Sequence, residues 1–189
     1  MKSRVASSPR GAGGGAPAGG GGGPGLADGS TAGWISTVDS PLGRLWIVSS
    51  PAGLTRIARE PVDLPEGDSF GAVAAFGRYL DGDLTALDAL PVDPQGTDFQ
   101  RRVWLGLRQI PPGQTLSYGA FTARLGLTAT TTRAVGTANG ANPLPIVLPC
   151  HRVIGARGDL VGFGWGLPAK RWLLRHEGLV LPGEQVGLV

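Results

Sequence analysis

Between residues 34 and 58 the chain reads as strands. Trp34-Ile35-Ser36-Thr37-Val38 and Arg44-Leu45-Trp46-Ile47-Val48 are rich in β-branched and aromatic side chains, and Ser40-Pro41-Leu42-Gly43 between them predicts a turn. A third short strand is expected after Gly53, over residues 54–58. Asp68-Ser69 then predicts the cap of a helix carrying Phe76, Tyr79 and Leu80, ended by Asp81-Gly82-Asp83. Residues 90–96 read as a Pro/Asp/Gly-rich linker. Past it, Thr97 or Asp98 can cap a helix with Phe99, Val103, Trp104, Leu107 and Ile110 at helical spacing, stopped by Pro111-Pro112-Gly113. Ser117 predicts the start of a short helix over residues 118–125, closed by Gly126. A second short helix follows over residues 130–138, closed by Asn139-Gly140. Two short helices joined by a tight turn make a helix-turn-helix signature, a pattern shared with any packed helical hairpin. Pro143, Pro145 and Pro149 exclude regular helix over the next stretch and push their neighbours toward extended backbone. Ile146-Val147-Leu148 is short and apolar, so it should be buried and deliver Cys150 in a fixed orientation. A last helix is expected from Pro168 through Trp172, Leu173 and Leu174 to Glu177, with Gly178 ending it.

These elements predict an α+β protein. A small N-terminal unit with a short antiparallel sheet (residues 34–95) precedes a mainly helical C-terminal domain with the helix-turn-helix (residues 96–189). Residues 1–33 fit neither part. They hold 12 of the chain's 33 glycines, separated by alanine, proline and serine. Such a segment cannot bury enough surface to offset its ordering entropy, so a disordered tail is expected. It lacks the apolar centre of a secretory signal, and no later run has the length of a membrane span.

Charge adds an asymmetry that the net value of +3 conceals. Residues 34–95 carry 4 basic and 9 acidic side chains, net −5, whereas residues 96–189 carry 10 and 4, net +6. The C-terminal part is therefore the one suited to a polyanion, nucleic acid being the first candidate, with a scattered basic surface as the plainer alternative. One cysteine and two histidines leave no disulfide framework and too few soft ligands for structural zinc. A free thiol suits a reducing cytoplasm.

The candidate chemistry lies at Cys150-His151. A thiol becomes a nucleophile when a neighbour helps remove its proton, and imidazole commonly does so. By itself such a pair is more often a small buried cysteine beside an unrelated histidine. Arg133, on the second short helix, is surrounded by short side chains (Thr130, Thr131, Thr132, Ala134, Gly136), so that face can approach another surface closely. Glu177 stands in the last turn of a helix, where an acid opposes the helix dipole. Rule-breaking of that kind occurs at functional sites, and a solvated glutamate would also tolerate it.

With these pieces in place the chain resembles the methylated-DNA–protein-cysteine methyltransferases, which repair O6-alkylguanine, over residues 34–179. The landmarks run in order: Ser40-Pro41-Leu42-Gly43; Gly96-Thr97-Asp98-Phe99-Gln100; Val103-Trp104; Ile110-Pro111-Pro112-Gly113; Ser117-Tyr118; Arg133-Ala134-Val135-Gly136; Asn142-Pro143; Pro149-Cys150-His151-Arg152-Val153; and His176-Glu177-Gly178. The resemblance implies that Cys150 accepts the alkyl group in a single-turnover reaction, with O4-methylthymine as a minor substrate. It implies that His151 takes the thiol proton through a water, that Glu177 orients His151, and that Asn142 is a hinge. Tyr118 would hydrogen-bond the flipped base. Arg133 would fill the gap in the stack, on a DNA-facing helix with Thr131, Thr132, Ala134 and Gly136. The base pocket would comprise Tyr118, Val153, Phe163, Gly164 and Trp165. The family needs no cofactor or metal; the implied partner is double-stranded DNA containing O6-alkylguanine, with no membrane or obligate protein partner, and a cytoplasmic monomer that can cluster on DNA. Thr131 and Thr132 stand where many relatives have alanine, Phe163 where tyrosine is frequent, and Trp165 where many have glycine. A non-catalytic lesion-binding protein and a Cys-His-Glu hydrolase are the competing classes; an acceptor cysteine argues against the first, and nothing in the sequence builds a pocket for the second.

Overall fold

The computed structural model describes residues 33–180, so the expected tail, save Gly33, lies outside the described residues. The fold is α+β. Strand β1 (Trp34–Ser40) pairs antiparallel with β2 (Gly43–Ser50), in register from Trp34 opposite Ser49 to Ser40 opposite Gly43. The turn closes as expected: Ser40 Oγ donates to the Gly43 carbonyl at 2.7 Å and accepts from Leu42 N–H, while Gly43 takes a φ of 98° that a side chain would resist. Strand β3 (Gly53–Ala58) completes the sheet beside β2, with a bulge at Val48/Ser49. Val38, Leu45, Ile47, Leu54 and Ile57 bury one face of it.

The stretch read as a linker is part of this sheet. Leu54 N–H donates to the Pro91 carbonyl and Asp93 N–H to the Leu54 carbonyl, so residues 91–93 cover the outer edge of β3. That approach is close enough that a Cβ on Gly53 would lie 2.8 Å from the Pro91 carbonyl carbon. Unpaired strand edges expose backbone donors and acceptors, and the Pro-rich segment satisfies them here.

Helix α1 spans Ala72–Leu80, three residues later than its cap signal suggests. Phe70 and Gly71 both adopt left-handed backbone, which breaks the chain after Asp68; the Asp68 carboxylate instead reaches Val73 N–H. Helix α2 (Asp98–Gly106) is capped by Thr97, one of the two expected candidates, in a capping box with Gln100, and continues as a 3-10 turn to Gln109. Strand β4 (Leu116–Ser117) leads into α3 (Tyr118–Arg124), capped by Ser117 Oγ on Ala120 N–H. After a tight turn comes α4 (Thr132–Gly140). Asn139-Gly140 forms the last two residues of this helix and ends it as expected; Asn139 is buried, and the Trp104 indole N–H satisfies the Ala138 carbonyl at that end at 2.7 Å. Strand β5 (Val153–Ile154) pairs parallel with β4, and α5 (Leu167–His176) ends the described chain with Pro168 in its first turn. Val103, Trp104, Phe121, Val135, Leu148 and Leu173 share one core with the sheet and α1. Among the described residues no helix is long and apolar enough to cross a membrane.

Candidate active site

The approach to Cys150 is buried as expected but not extended. Leu148 N–H closes a turn on the Leu144 carbonyl at 2.8 Å, and Ile146 takes a φ of 76°, unusual for a β-branched residue. Asn142 clasps both ends of that turn: its Nδ2 donates to the Leu148 carbonyl at 2.7 Å and its Oδ1 accepts from Leu144 N–H at 3.0 Å. Ile57 N–H on β3 donates to the Pro143 carbonyl, so the sheet braces the same loop. Cys150, His151 and Arg152 then form a single 3-10 turn that runs into β5. Pairing of β5 with β4 brings Ser117 and the start of α3 next to it, which sets Tyr118 within electrostatic reach of Cys150.

His151 is fully buried, and its Nε2 lies 2.8 Å from Glu177 Oε1. Burial alone would raise the Glu177 carboxyl, but hydrogen bonds from His151 and Arg152 outweigh it and bring it to about 2. An ionised carboxylate only accepts, so Nε2 carries the proton. Burial also pushes His151 below its ordinary value, leaving the imidazole neutral with a lone pair on Nδ1. That Nδ1 is buried and has no hydrogen-bond partner among the described residues. It is the one basic atom of the cluster still free to take a proton. Burial pushes the Cys150 thiol up to about 11, against the opposing pull of the Asn142 amide and the Lys170 ammonium. The resting sulfur is therefore a thiol that needs a base.

Three members of this cluster carry no candidate role in the sequence. Arg152 grips Glu177 with two bonds, Nε to Oε2 at 2.9 Å and Nη2 to Oε1 at 2.8 Å, and holds the Ile110 carbonyl with Nη1. Tyr79, from α1, donates its hydroxyl to Glu177 Oε1 at 3.0 Å. Lys170 is fully buried, with Nζ 2.7 Å from the carbonyls of both Val153 and Val161, and burial lowers it to about 8. Lys170, Leu173, Leu174 and Glu177 fall on one helical face, so periodicity could have marked both charges as buried. Nothing separates Tyr79 from an ordinary core aromatic.

A cleft of about 220 Å³ opens on Cys150 and is lined by Asn142, Phe163, Gly164 and Trp165, with Pro145 and Arg56 among the remaining walls. The Trp165 indole is half-buried, edge-on to Phe163 at 6.2 Å, with the Arg59 guanidinium 6.0 Å from its ring centre. Val153 and Tyr118 do not line this cleft: Val153 is fully buried, and Tyr118 lies over Gly136 with its hydroxyl 3.3 Å from Asn139 Nδ2. On α4, Arg133 and Ala134 are exposed, while Thr131 and Thr132 turn their hydroxyls back onto the carbonyls of Thr128 and Ala129. The structure thus gathers Cys150, His151, Glu177 and Asn142 into one cluster, with Arg133, Thr131, Thr132, Ala134 and Gly136 on a separate helix.

Comparison with known proteins gives the family. The family described as 6-O-methylguanine DNA methyltransferase, DNA binding domain, matches residues 98–179. The methylated-DNA–protein-cysteine methyltransferase of Salmonella typhimurium is 53% identical over 103 residues, 54% of this chain and 60% of the relative, so the chain spans about three fifths of that protein's length. The protein of the same name from Mycolicibacterium paratuberculosis is 44% identical over 151 residues, 75% of this chain and 90% of the relative. The crystal structure of the Mycobacterium tuberculosis O6-methylguanine methyltransferase superposes with a TM-score of 0.69 at 40% identity, covering 80% of this chain and 96% of that one. The same protein in complex with DNA gives 0.66 at 38%, covering 76% and 92%. A relative 44% identical over 75% of this chain and 90% of its own length leaves one conclusion: the chain belongs to the methylated-DNA–protein-cysteine methyltransferase family.

Proposed function

We propose that this protein removes the alkyl group from O6-alkylguanine in double-stranded DNA by transferring it to its own Cys150, once per molecule. The observation that carries the reading is a buried thiol on an open cleft, next to a neutral histidine whose other nitrogen is fixed by an ionised glutamate. His151 Nδ1 takes the thiol proton through a water, Glu177 supports the charge that forms on the ring, and Cys150 Sγ attacks the alkyl carbon in line with O6. The C–S bond forms as the C–O6 bond breaks, the bonding pair stays with guanine, and the proton returns to the base. Tyr118 donates a hydrogen bond to the departing base. The thioether offers no route back, which makes the reaction stoichiometric. O4-methylthymine presents the same alkyl carbon on a base oxygen and is a minor substrate.

An alkyl group on a paired base is out of reach inside the duplex, so the nucleotide must be flipped out, at a cost of a few kcal/mol that is smaller for a badly paired base. The pair α3–α4 serves as the helix-turn-helix, with Arg133 entering from the minor groove to replace the lost stacking and Thr131, Thr132, Ala134 and Gly136 forming the close face. The crystal structure of the mycobacterial relative in complex with DNA supports DNA as the partner. Residues 34–95 act as scaffold and residues 96–189 carry binding and chemistry, in a cytoplasmic monomer that can cluster along DNA. Titration with a duplex containing one O6-methylguanine tests the reading. Restored guanine should stop at one equivalent per protein, with one methyl group on the Cys150 peptide; continued turnover would favour a hydrolase.

Trp165 gives this pocket its own selectivity. Its indole lines the cleft and is wedged between Phe163 and Arg59, so it cannot swing aside without losing both contacts. A methyl group fits beside it, whereas a benzyl ring competes for the same space. Overfilling a packed site costs about 1–3 kcal/mol, up to roughly a hundredfold in rate. Trp165→Gly should therefore raise the ratio of O6-benzylguanine to O6-methylguanine reactivity by a factor of that order. Equal ratios in the two proteins would mean that the indole does not limit the pocket.

A further inference from the structure

The four arginines of residues 34–95 divide into two kinds. Arg44 pairs with Asp39 at 2.8 Å and Arg78 with Asp83 at 3.6 Å, as expected in an acidic part of the chain. Arg56 and Arg59 have no acidic partner among the described residues. Arg56 lies at the cleft and Arg59 beside it. Arg56, on β3 opposite Val48, is exposed and lines the Cys150 cleft itself. It also lines the neighbouring depression formed by Ile57, Ala58, Arg59, Glu60, Gly164 and Trp165, and Arg59 lies over the indole between the two. Glu60 is the acidic residue in that depression, and it makes no ion pair with either arginine. Neither Tyr118 nor Arg133 lines either space.

Displacement at the alkyl carbon requires sulfur, carbon and O6 in line. Any part of the substituent beyond that first carbon must therefore leave sideways, along the cleft wall. Here the wall is apolar at Pro145, Ile57 and Trp165 and cationic at Arg56. Resting on the alkyl-transfer reading above, we propose that Arg56, with Arg59 behind Trp165, makes this site select O6-substituents that end in an anion, of which O6-carboxymethylguanine is the smallest. The chemistry is unchanged: Sγ bonds to the substituent's methylene, the bond to O6 breaks, and the carboxylate stays on the new thioether, paired with the guanidinium.

Single-turnover rates on two duplexes of one sequence, carrying O6-methylguanine or O6-carboxymethylguanine, test this. An exposed ion pair is worth up to about 1 kcal/mol, so Arg56→Gln should lower the carboxymethyl-to-methyl ratio roughly fivefold. Arg56→Lys should keep most of the ratio. Arg56→Glu should lower it further and favour a duplex carrying O6-(2-aminoethyl)guanine instead. Added salt should lower the wild-type ratio and leave that of Arg56→Gln unmoved. If Arg56→Gln slows both lesions equally, the arginine contacts a DNA phosphate and the proposal fails. It fails also if the ratio does not move. A wild type that transfers methyl with an unmoved ratio overturns only this inference, whereas one that transfers neither group overturns the alkyl-transfer reading and this with it.

Discussion

Cys150→Ser should reduce alkyl transfer to background while leaving a folded, DNA-binding protein. Serine is slightly smaller than cysteine and carries a hydroxyl that His151 Nδ1 cannot ionise appreciably, because an alcohol is a far weaker acid than a thiol. Cys150 is 4% exposed, so the exchange places a hydroxyl in a mostly apolar setting, at a cost of about 1–2 kcal/mol that the rest of the core absorbs. Arg133 and α4 are untouched, so duplex affinity measured by fluorescence anisotropy should change less than about threefold, within roughly 0.7 kcal/mol. Mass spectrometry should find no methyl group on the variant after incubation with the modified duplex. A methylated Cys150→Ser protein would place the acceptor elsewhere in the chain.

Glu177→Gln should be the most costly single exchange for stability. The Glu177 carboxylate is 3% exposed and takes bonds from His151, Arg152 and Tyr79. Glutamine offers one oxygen in place of two and aims an amide N–H at a donor. Arg152 then remains buried without its counter-charge, and breaking a buried pair in that way costs about 3–5 kcal/mol. For a chain of this size the melting temperature should fall by roughly 10 °C. The acid limb provides a separate check. Glu177 is depressed from an ordinary 4.5 to about 2, so its contribution is fully present above pH 4.5 and is lost as pH falls toward 2. Wild type should lose stability across that window more steeply than the variant; parallel curves would mean that the carboxylate is not held as described. Transfer should slow by about a hundredfold because the His151 ring loses its orienting acceptor. The reaction of Cys150 with a thiol reagent should move to higher pH.

Much of this arrangement could be read from local pattern. The three strands follow from β-branched and aromatic runs around Ser40-Pro41-Leu42-Gly43, and α2 and α3 follow from Thr97 and Ser117, whose side chains do cap them. Patterns failed where a tertiary contact overrode them. Asp68-Ser69 looks like a cap, yet left-handed backbone at Phe70 and Gly71 delays α1. Ile146-Val147-Leu148 looks extended but coils, and β4 and β5, at two residues each, are too short to show a period.

The site divides on the same line. Cys150 stands out as the only cysteine, and Glu177 as an acid where a helix end disfavours one. The explanation of Glu177, a bidentate arginine and a tyrosine hydroxyl from an element 98 positions away, exists only in three dimensions. No spacing rule links Tyr79 to Glu177. The segment at residues 90–96 is a related case: its composition signals a connection, while its backbone bonds make it the border of a sheet.

Glu177, which joins Tyr79, His151 and Arg152, is also the last of the four to be synthesised. During synthesis Cys150 and His151 are made before Lys170 and Glu177, and at about 5–20 residues per second the interval to Glu177 is roughly one to five seconds. Until α5 docks, His151 has no acceptor to fix its ring, Arg152 has no counter-charge, and α1 has no partner for its hydroxyl. A nascent chain therefore carries its single thiol unarmed. On the single-transfer reading proposed above, the molecule is kept from being spent before α5 has docked.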